Sequence, residues 1–85
     1  LTDLERANIL TLGVFVDDPE VAVRRLVAQR ALDALLSTLA KDAAWEVRWE
    51  VAQRASARLA TQLGADPEEE VRNAARERLS ALAGT

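Results

Sequence analysis

The feature that most constrains how this chain can fold is an internal repeat with a period of 24 residues. The string DPEVAVR at 18–24 returns as DAAWEVR at 42–48 and as DPEEEVR at 66–72, and AQRA occurs at both 28–31 and 52–55. A fixed period of this kind indicates stacked supersecondary units. The 85 residues are therefore expected to form one helical-repeat domain over 1–85, with a partial repeat 1–16 followed by repeats 17–40, 41–64 and 65–85.

Each repeat opens with the signals of a helix start. Asp18, Asp42 and Asp66 are predicted N-caps, because an aspartate carboxylate accepts hydrogen bonds from the free backbone N–H groups of a first turn. Pro19 and Pro67 follow at the first helical position, where no donor is needed. Apolar residues then recur at helical spacing, without the alternation typical of strands, so the sequence predicts an all-α fold. The predicted core stripe consists of Val23, Leu26, Val27, Ala31, Val47, Val51, Ala55, Val71, Ala74, Ala75 and Leu79.

The second half of each repeat is short and rich in leucine. About eight residues remain after the first helix and a linker, which is enough for about two turns. Because helical repeats with two full helices need about 33 residues or more, a period of 24 indicates one proper helix followed by one short helical segment. Gly64 is predicted to end that segment in repeat 41–64, before Asp66. The leucines concerned are Leu35, Leu36, Leu39, Leu59 and Leu63.

The strings LAKDAAWEVRWEVA at 39–52 and LGADP at 63–67 resemble the leucine-rich repeat variant (LRV) family. Those bacterial repeats have the same period and are distantly similar to HEAT repeats. The resemblance covers nearly the whole chain, and it implies a right-handed α-solenoid in which α-helices alternate with 3₁₀ helices. One departure is that Arg30-Ala31 and Arg54-Ala55 stand where the family commonly has Asn-Pro after the first helix.

That departure leaves a second architecture open. Segments 20–40 and 44–63 contain no glycine or proline. Each segment could therefore run as one helix of about 20 residues, and the chain would form a small antiparallel bundle. The sequence alone does not decide between the solenoid and the bundle.

The composition excludes several kinds of chemistry. The chain has no histidine and no cysteine, so it has no thiol nucleophile, no Ser–His or Cys–His pair and no zinc site of the usual ligands. Some proteins of the LRV family carry a cysteine-ligated iron–sulfur cluster, but this chain has no thiolate to hold one. We therefore expect the chain to have no cofactor, no metal and no catalytic residue. We also expect that it is not an enzyme. The acids Asp33, Glu46, Glu50 and Glu77 are interpreted as solvated charges.

The charge balance bears on the class of partner and on location. The net charge is −3, from 11 basic and 14 acidic side chains, which argues against a nucleic-acid partner. No apolar run approaches the roughly 20 residues that span a bilayer, and no signal-peptide pattern is present. We expect no membrane association and a cytoplasmic location.

Most of the basic residues fall into two rows that the repeat brings into register. In the forward row, Arg24, Arg48 and Arg72 are predicted to bridge a carboxylate of their own or the neighbouring repeat, or to cap carbonyls between repeats. Their partners in this structural ladder are Asp18, Asp42 and Asp66. The backward row is expected to face solvent, where it could contact a ligand; it consists of Arg30, Arg54 and Arg78, with Arg6 in the partial repeat.

Two tryptophans mark a candidate binding face. Trp45 and Trp49 are four residues apart, so they project from the same side of one helix, opposite the Val47/Val51 stripe. One interpretation packs both rings against the adjacent repeat, and Trp45 lies where the family often has tryptophan. The other exposes Trp49, stacked with Arg25, as an anchor for a partner. The predicted partner-binding residues are Trp45, Trp49, Arg25, Arg30 and Arg54.

These observations predict a non-catalytic helical-repeat module for protein–protein interaction or scaffolding, whose partner is an unidentified protein. By resemblance alone, the alternative is an accessory or assembly factor for a bacterial metalloenzyme or redox system. Binding of nucleic acid through the arginine rows is a third and weaker hypothesis.

The two ends of the array are expected to differ. Polar residues in the last copy predict a C-terminal cap, because terminal repeats need a polar outer face; these are Glu68, Glu69, Glu70, Asn73, Arg76 and Glu77. The missing first half of the partial repeat leaves an apolar edge formed by Leu1, Leu4, Ile9 and Leu12. That edge predicts either further repeats upstream or a homodimer through it.

Overall fold

A computed structural model describes residues 12–84. All regular secondary structure in this part of the chain is helical, which confirms the all-α prediction. A 3₁₀ turn at Leu12–Phe15 precedes five α-helices. Helix α1 spans Val21–Arg30, α2 spans Asp33–Leu39, α3 spans Trp45–Arg54, α4 spans Ala57–Leu63 and α5 spans Glu69–Ala83.

Long and short helices alternate with the period of the sequence repeat. Helices α1 and α3 have 10 residues each, and α2 and α4 have 7 each. The predicted short segments are therefore α-helices rather than the 3₁₀ helices that the family resemblance implies. Helices running through 20–40 and 44–63 do not occur, because both segments are interrupted, at 31–32 and at 55–56.

The long helices pack side by side in chain order, α1 against α3 and α3 against α5. Each short helix packs against the long helix that follows it, α2 on α3 and α4 on α5. Half of the fourteen buried apolar residues in the described part are alanines, whose small side chains let helix axes approach closely. One continuous cluster results, formed by Val27, Ala28, Ala31, Leu36, Leu39, Val47, Val51, Ala52, Leu63, Val71, Ala74 and Ala75.

The predicted core stripe is buried except at three positions. Val23 and Leu79 are half-buried, and Leu26 is 41% exposed. Leu26 is equivalent to Glu50, which lies buried under Arg25 of the preceding repeat. The difference in burial between Leu26 and Glu50 therefore depends on what packs against each helix and not on the hydrophobic pattern of the helix itself.

The two interruptions contain no glycine or proline. At each one, an arginine side chain from the next repeat donates hydrogen bonds to backbone carbonyls. At the first, Ala31 and Leu32 are extended, with ψ of 152° and 164°. In a continuing helix, the carbonyl of Ala28 would accept from the N–H of Leu32. Here it accepts instead from Arg54 Nη1 of the next repeat, at 2.9 Å.

At the second interruption, the arginine of the next repeat also donates to backbone carbonyls, but at positions nearer the break. Arg78 Nε donates to the carbonyl of Ala55 at 2.7 Å, and Arg78 Nη2 donates to the carbonyl of Arg54 at 3.4 Å. Helix α5 passes without a break through the equivalent positions 79–80. Within residues 12–84, no arginine of a following repeat donates to the carbonyls there.

Several predictions on the first residues lie outside the described part of the chain. They concern Arg6 and the apolar edge of Leu1, Leu4 and Ile9, together with the side chain of Leu12. The homodimer through that edge stays a prediction.

Candidate functional site

The forward row joins each repeat to the next through a two-pronged ion pair. Arg24 Nε donates to Asp42 Oδ2 at 2.8 Å, and Arg24 Nη2 donates to Asp42 Oδ1 at 3.2 Å. Arg48 holds Asp66 with the same two distances. We call each such pair a rung. The sequence left open whether each arginine binds an aspartate of its own repeat or of a neighbouring one. In both rungs the aspartate belongs to the following repeat.

The third nitrogen of each guanidinium binds backbone at the arginine's own repeat. Arg24 Nη1 donates to the carbonyl of Asp18 at 2.7 Å, and Arg48 Nη1 donates to that of Asp42 at 2.8 Å. The hydrogen bond to Asp42 also raises the pKa of Arg24 above its ordinary value. Each rung is therefore fixed at both ends, which is the geometry that gives arginine forks their specificity.

The aspartates are not the N-caps that the sequence predicts. Helices α1, α3 and α5 begin three residues after them, and Glu20, Ala44 and Glu68 occupy the N-cap positions. Each aspartate Oδ1 instead accepts from the backbone N–H two residues later, at 2.9 Å, which is an Asx turn. In the two rungs, the carboxylate outside the helix reaches the arginine of the preceding repeat.

The two prolines, like the aspartates, lie further before the helices than the sequence predicts. Pro19 and Pro67 come before the N-caps Glu20 and Glu68, so they lie outside the helices and not at the first helical position. A proline there fixes its own φ inside the turn and removes no helical donor.

The last arginine of the forward row differs from the other two. Arg72 Nη1 donates to the carbonyls of Asp66 and Pro67, both at 2.9 Å, so the guanidinium is anchored on its own repeat. Its Nε and Nη2, the two atoms that hold a carboxylate in Arg24 and Arg48, have no acceptor within residues 12–84.

The backward row does not face solvent as the sequence predicts. Arg54 and Arg78 are half-buried, and both donate to carbonyls of the preceding repeat, as described for the helix interruptions. Arg30 is also half-buried and is engaged in the structure. Arg54 and Arg78 thereby hold the ends of the preceding long helices, because a carbonyl freed at a helix end needs a donor.

Both tryptophans lie on α3, but Trp45 is the more exposed of the two. One interpretation of the sequence instead exposed Trp49. Trp45, the first residue of α3, is 37% exposed, whereas Trp49 is half-buried and packs against the core. Arg25, predicted to stack on Trp49, forms an ion pair with Glu50, with Nη2 to Oε1 at 3.0 Å. Trp45 is therefore the aromatic side chain that a partner could reach.

Glu50 was interpreted as solvated charge, and that interpretation is wrong. Its side chain is 9% exposed, against 41% for Arg25, and Arg25 Nε is buried without a hydrogen-bond acceptor. The equivalent positions carry Leu26 and Ala74, so an acid at this site is peculiar to one repeat. That mismatch between copies was the signal in the sequence that could have revealed the pair.

The first turn of α5 concentrates acid, as the sequence indicates. A hydrogen bond between the two carboxyl groups raises the pKa of Glu68 and lowers the pKa of Glu70. The raised pKa favours folding at low pH and loses that effect as the pH rises through it. The lowered pKa acts in the opposite direction, so the two contributions oppose each other.

A shallow groove of about 440 Å³ lies beside α2 and α4. Its charged lining residues are Lys41, Arg58 and Asp66, and Asp66 is already held by Arg48. The remaining walls are short hydroxyl, amide and aliphatic side chains.

Within residues 12–84, no three acidic side chains approach closely enough to hold a metal ion. No helix in the same range is long and apolar enough to cross a bilayer.

Comparison with known proteins gave no relative. No protein-family model matches this chain, and neither a curated protein nor a solved structure is significantly similar to it.

Proposed function

We propose that this chain is a segment of a helical repeat array of the LRV type, and that it binds another protein along the exposed side of its long helices without performing chemistry of its own. The observation that carries the proposal is the repetition of one set of contacts at the period of the sequence. Arg24 to Asp42 and Arg48 to Asp66 have matching distances, and nothing in either contact closes the structure on itself. Arrays built in this way offer an extended surface, which is how repeat proteins bind.

The exposed aromatic side chain gives the proposal a location. Tryptophan and arginine are the residues that most often dominate binding energy at protein interfaces. Trp45 is 37% exposed at the start of α3, and the partly exposed Arg25 is fixed in place by Glu50. Large apolar residues exposed elsewhere in the described part are Val14, Leu26 and Leu32.

Site-specific photo-crosslinking tests the proposal. Trp45 is replaced by benzoylphenylalanine in the full-length protein, in cells of the organism that makes it, and the cells are irradiated. We expect one dominant covalent adduct with another protein. The matched control places the same probe at Thr61, which is exposed on the short helix α4, and there the adduct should be absent.

A substitution then separates binding from folding. Trp45→Ala should abolish the adduct when the probe is moved to Arg25, while the far-UV circular dichroism and the urea midpoint stay close to those of the parent protein. Equal adduct patterns at Trp45 and Thr61, or no adduct at either position, would contradict the proposal.

A further inference from the structure

The contacts within residues 12–84 leave one edge of the Arg72 guanidinium unused. The guanidinium is held in place by the carbonyls of Asp66 and Pro67, as the other forward-row arginines are held by carbonyls of their own repeats. In Arg24 and Arg48, the remaining edge of the fork receives an aspartate from the next repeat. In Arg72 the same edge has no acceptor within residues 12–84.

The fork is thus preorganised for a carboxylate. A binding group whose orientation is fixed beforehand loses little conformational freedom when its partner arrives. The two rungs inside the molecule show which group fits this edge: an aspartate held in an Asx turn just before a helix. Arginine with a carboxylate in this parallel geometry is both stronger and more specific than a single charged contact.

The surroundings of Arg72 narrow the choice of partner. Arg76 lies on the same side of α5, one turn further on, and is exposed. Its equivalents in α1 and α3 are the fully buried Ala28 and Ala52, which allow close helix packing. An arginine there keeps a further apolar helix from approaching as closely, and it adds a second positive charge beside Arg72.

We infer that the outer side of α5 binds the acidic start of a helix from a partner protein, with a leading aspartate received by Arg72 and a following acidic residue facing Arg76. The inference rests on the proposed function and gives that function a second site, on the outer side of α5. It assigns the exposed polar face of α5 a role beyond that of a cap.

The test uses a fluorescein-labelled synthetic peptide of residues 65–83, the acidic segment whose Asp66 is received by Arg48 inside the molecule. Anisotropy is measured on titration with the whole protein at low salt. The matched control peptide carries Asp66→Asn, which keeps the Asx turn and removes the charge. We expect the control peptide to bind about 10-fold or more weakly, since hydrogen bonds between charged groups are the stronger kind.

Variants of the protein locate the site. Arg72→Gln should weaken binding of the parent peptide by the same factor as Asp66→Asn does, and the two changes together should cost no more than either alone. Arg78→Gln, which changes an arginine on the inner side of α5, should leave the ratio between the two peptides unchanged. Urea unfolding of each variant confirms that it is folded at the titration conditions.

Three results would overturn the inference: absence of binding, equal binding of the two peptides, or binding that is insensitive to Arg72→Gln. Light scattering of the protein alone provides a further check, because a dimer that Arg72→Gln dissociates would make a second copy the occupant. Failure of any of these tests leaves the crosslinking result at Trp45 as the separate measure of the proposed function.

Discussion

A single aspartate in each internal repeat connects three parts of the molecule. The carboxylate of Asp42 receives Arg24 from the preceding repeat and the N–H of Ala44 from its own, while its carbonyl receives Arg48. Side chains joined in this way are strongly coupled, because removing one leaves several groups without partners.

The contribution of a rung can be measured with two arginines of the same row. Arg48→Ala removes both the carboxylate contact and the carbonyl contacts, and it leaves Asp66 buried without its cation. We expect a loss of about 2–3 kcal/mol in the free energy of unfolding, measured by urea denaturation. Arg72→Ala removes only the carbonyl contacts, so it should cost about 1 kcal/mol. Equal losses would show that the carboxylate adds nothing.

The starts of the two short helices offer a second comparison at this scale. Ser56 is the N-cap of α4, and its hydroxyl accepts from the N–H of Leu59 at 3.3 Å. Leu32 has the same backbone conformation at the start of α2, but it has no hydroxyl and is 53% exposed. A serine at an N-cap is more stable than an apolar residue by about 1 kcal/mol.

Exchange of the caps should therefore move stability in opposite directions. Ser56→Ala should lower the free energy of unfolding by about 0.5–1 kcal/mol, and Leu32→Ser should raise it by a similar amount. Thermal and urea unfolding measure both changes, with Leu32→Ala as the control for loss of the exposed side chain. A destabilised Leu32→Ser would mean that Leu32 packs on a surface that the cap does not replace.

Much at the residue scale could be predicted from the sequence, because alignment of the copies places Asp and Arg at fixed separations. The direction of each rung could not, since the same spacing suits contacts within a repeat and between repeats. The pairing of Arg25 with Glu50 was also missed. It belongs to one interface alone, and the repeat pattern contains no copy of it.

Among the helices, the interruptions after α1 and α3 depend more on the following repeat than on their own residues. Residues 31–32 and 55–56 include no proline or glycine, yet both pairs are extended, and arginine donors from the next repeat take the freed carbonyls. Helix α5 receives no such arginine within residues 12–84, and it continues to Ala83. The sequence pattern could place the helices but could not reveal this dependence, because the deciding donor is 23 to 26 residues away.

Removal of one such donor tests whether the fold depends on these contacts between repeats. In Arg78→Ala, the carbonyl of the buried Ala55 loses its partner. We expect a loss of about 1–3 kcal/mol in the free energy of unfolding, the cost of an unsatisfied buried polar group. Arg76→Ala, an exposed arginine two positions earlier on the same helix, should change stability by less than about 0.5 kcal/mol. Equal urea midpoints for the two variants would show that the contact of Arg78 with the Ala55 carbonyl does not stabilise the fold.

For the molecule as a whole, the central question is whether its contacts can be extended. In an array whose contacts are only between neighbours, stability is a sum of unit and interface terms, so an added unit contributes its own increment. A closed bundle has no interface to receive one.

Duplication of residues 17–40 directly after Ala40 distinguishes these cases. In an array, Arg24 receives the Asp18 of the copy, and the Arg25 of the copy retains Glu50, so we expect both the free energy of unfolding and its urea dependence to rise. Duplication of 41–64 after Gly64 is the matched control. In this control, the second Glu50 faces Trp49 instead of an arginine. The gain in the free energy of unfolding should therefore be smaller by about 1–3 kcal/mol. A lower urea midpoint for the 17–40 duplication would favour a closed bundle.

The rungs also have an evolutionary consequence. An internal aspartate is held by two repeats at once, so a substitution there is penalised twice, whereas the outer face of α5 is held by nothing within residues 12–84. Fewer contacts within residues 12–84 therefore oppose a change on that face, and it is there that arginine stands at 76, where positions 28 and 52 have alanine. New binding specificity can arise on that face by point mutation while the interior stays fixed.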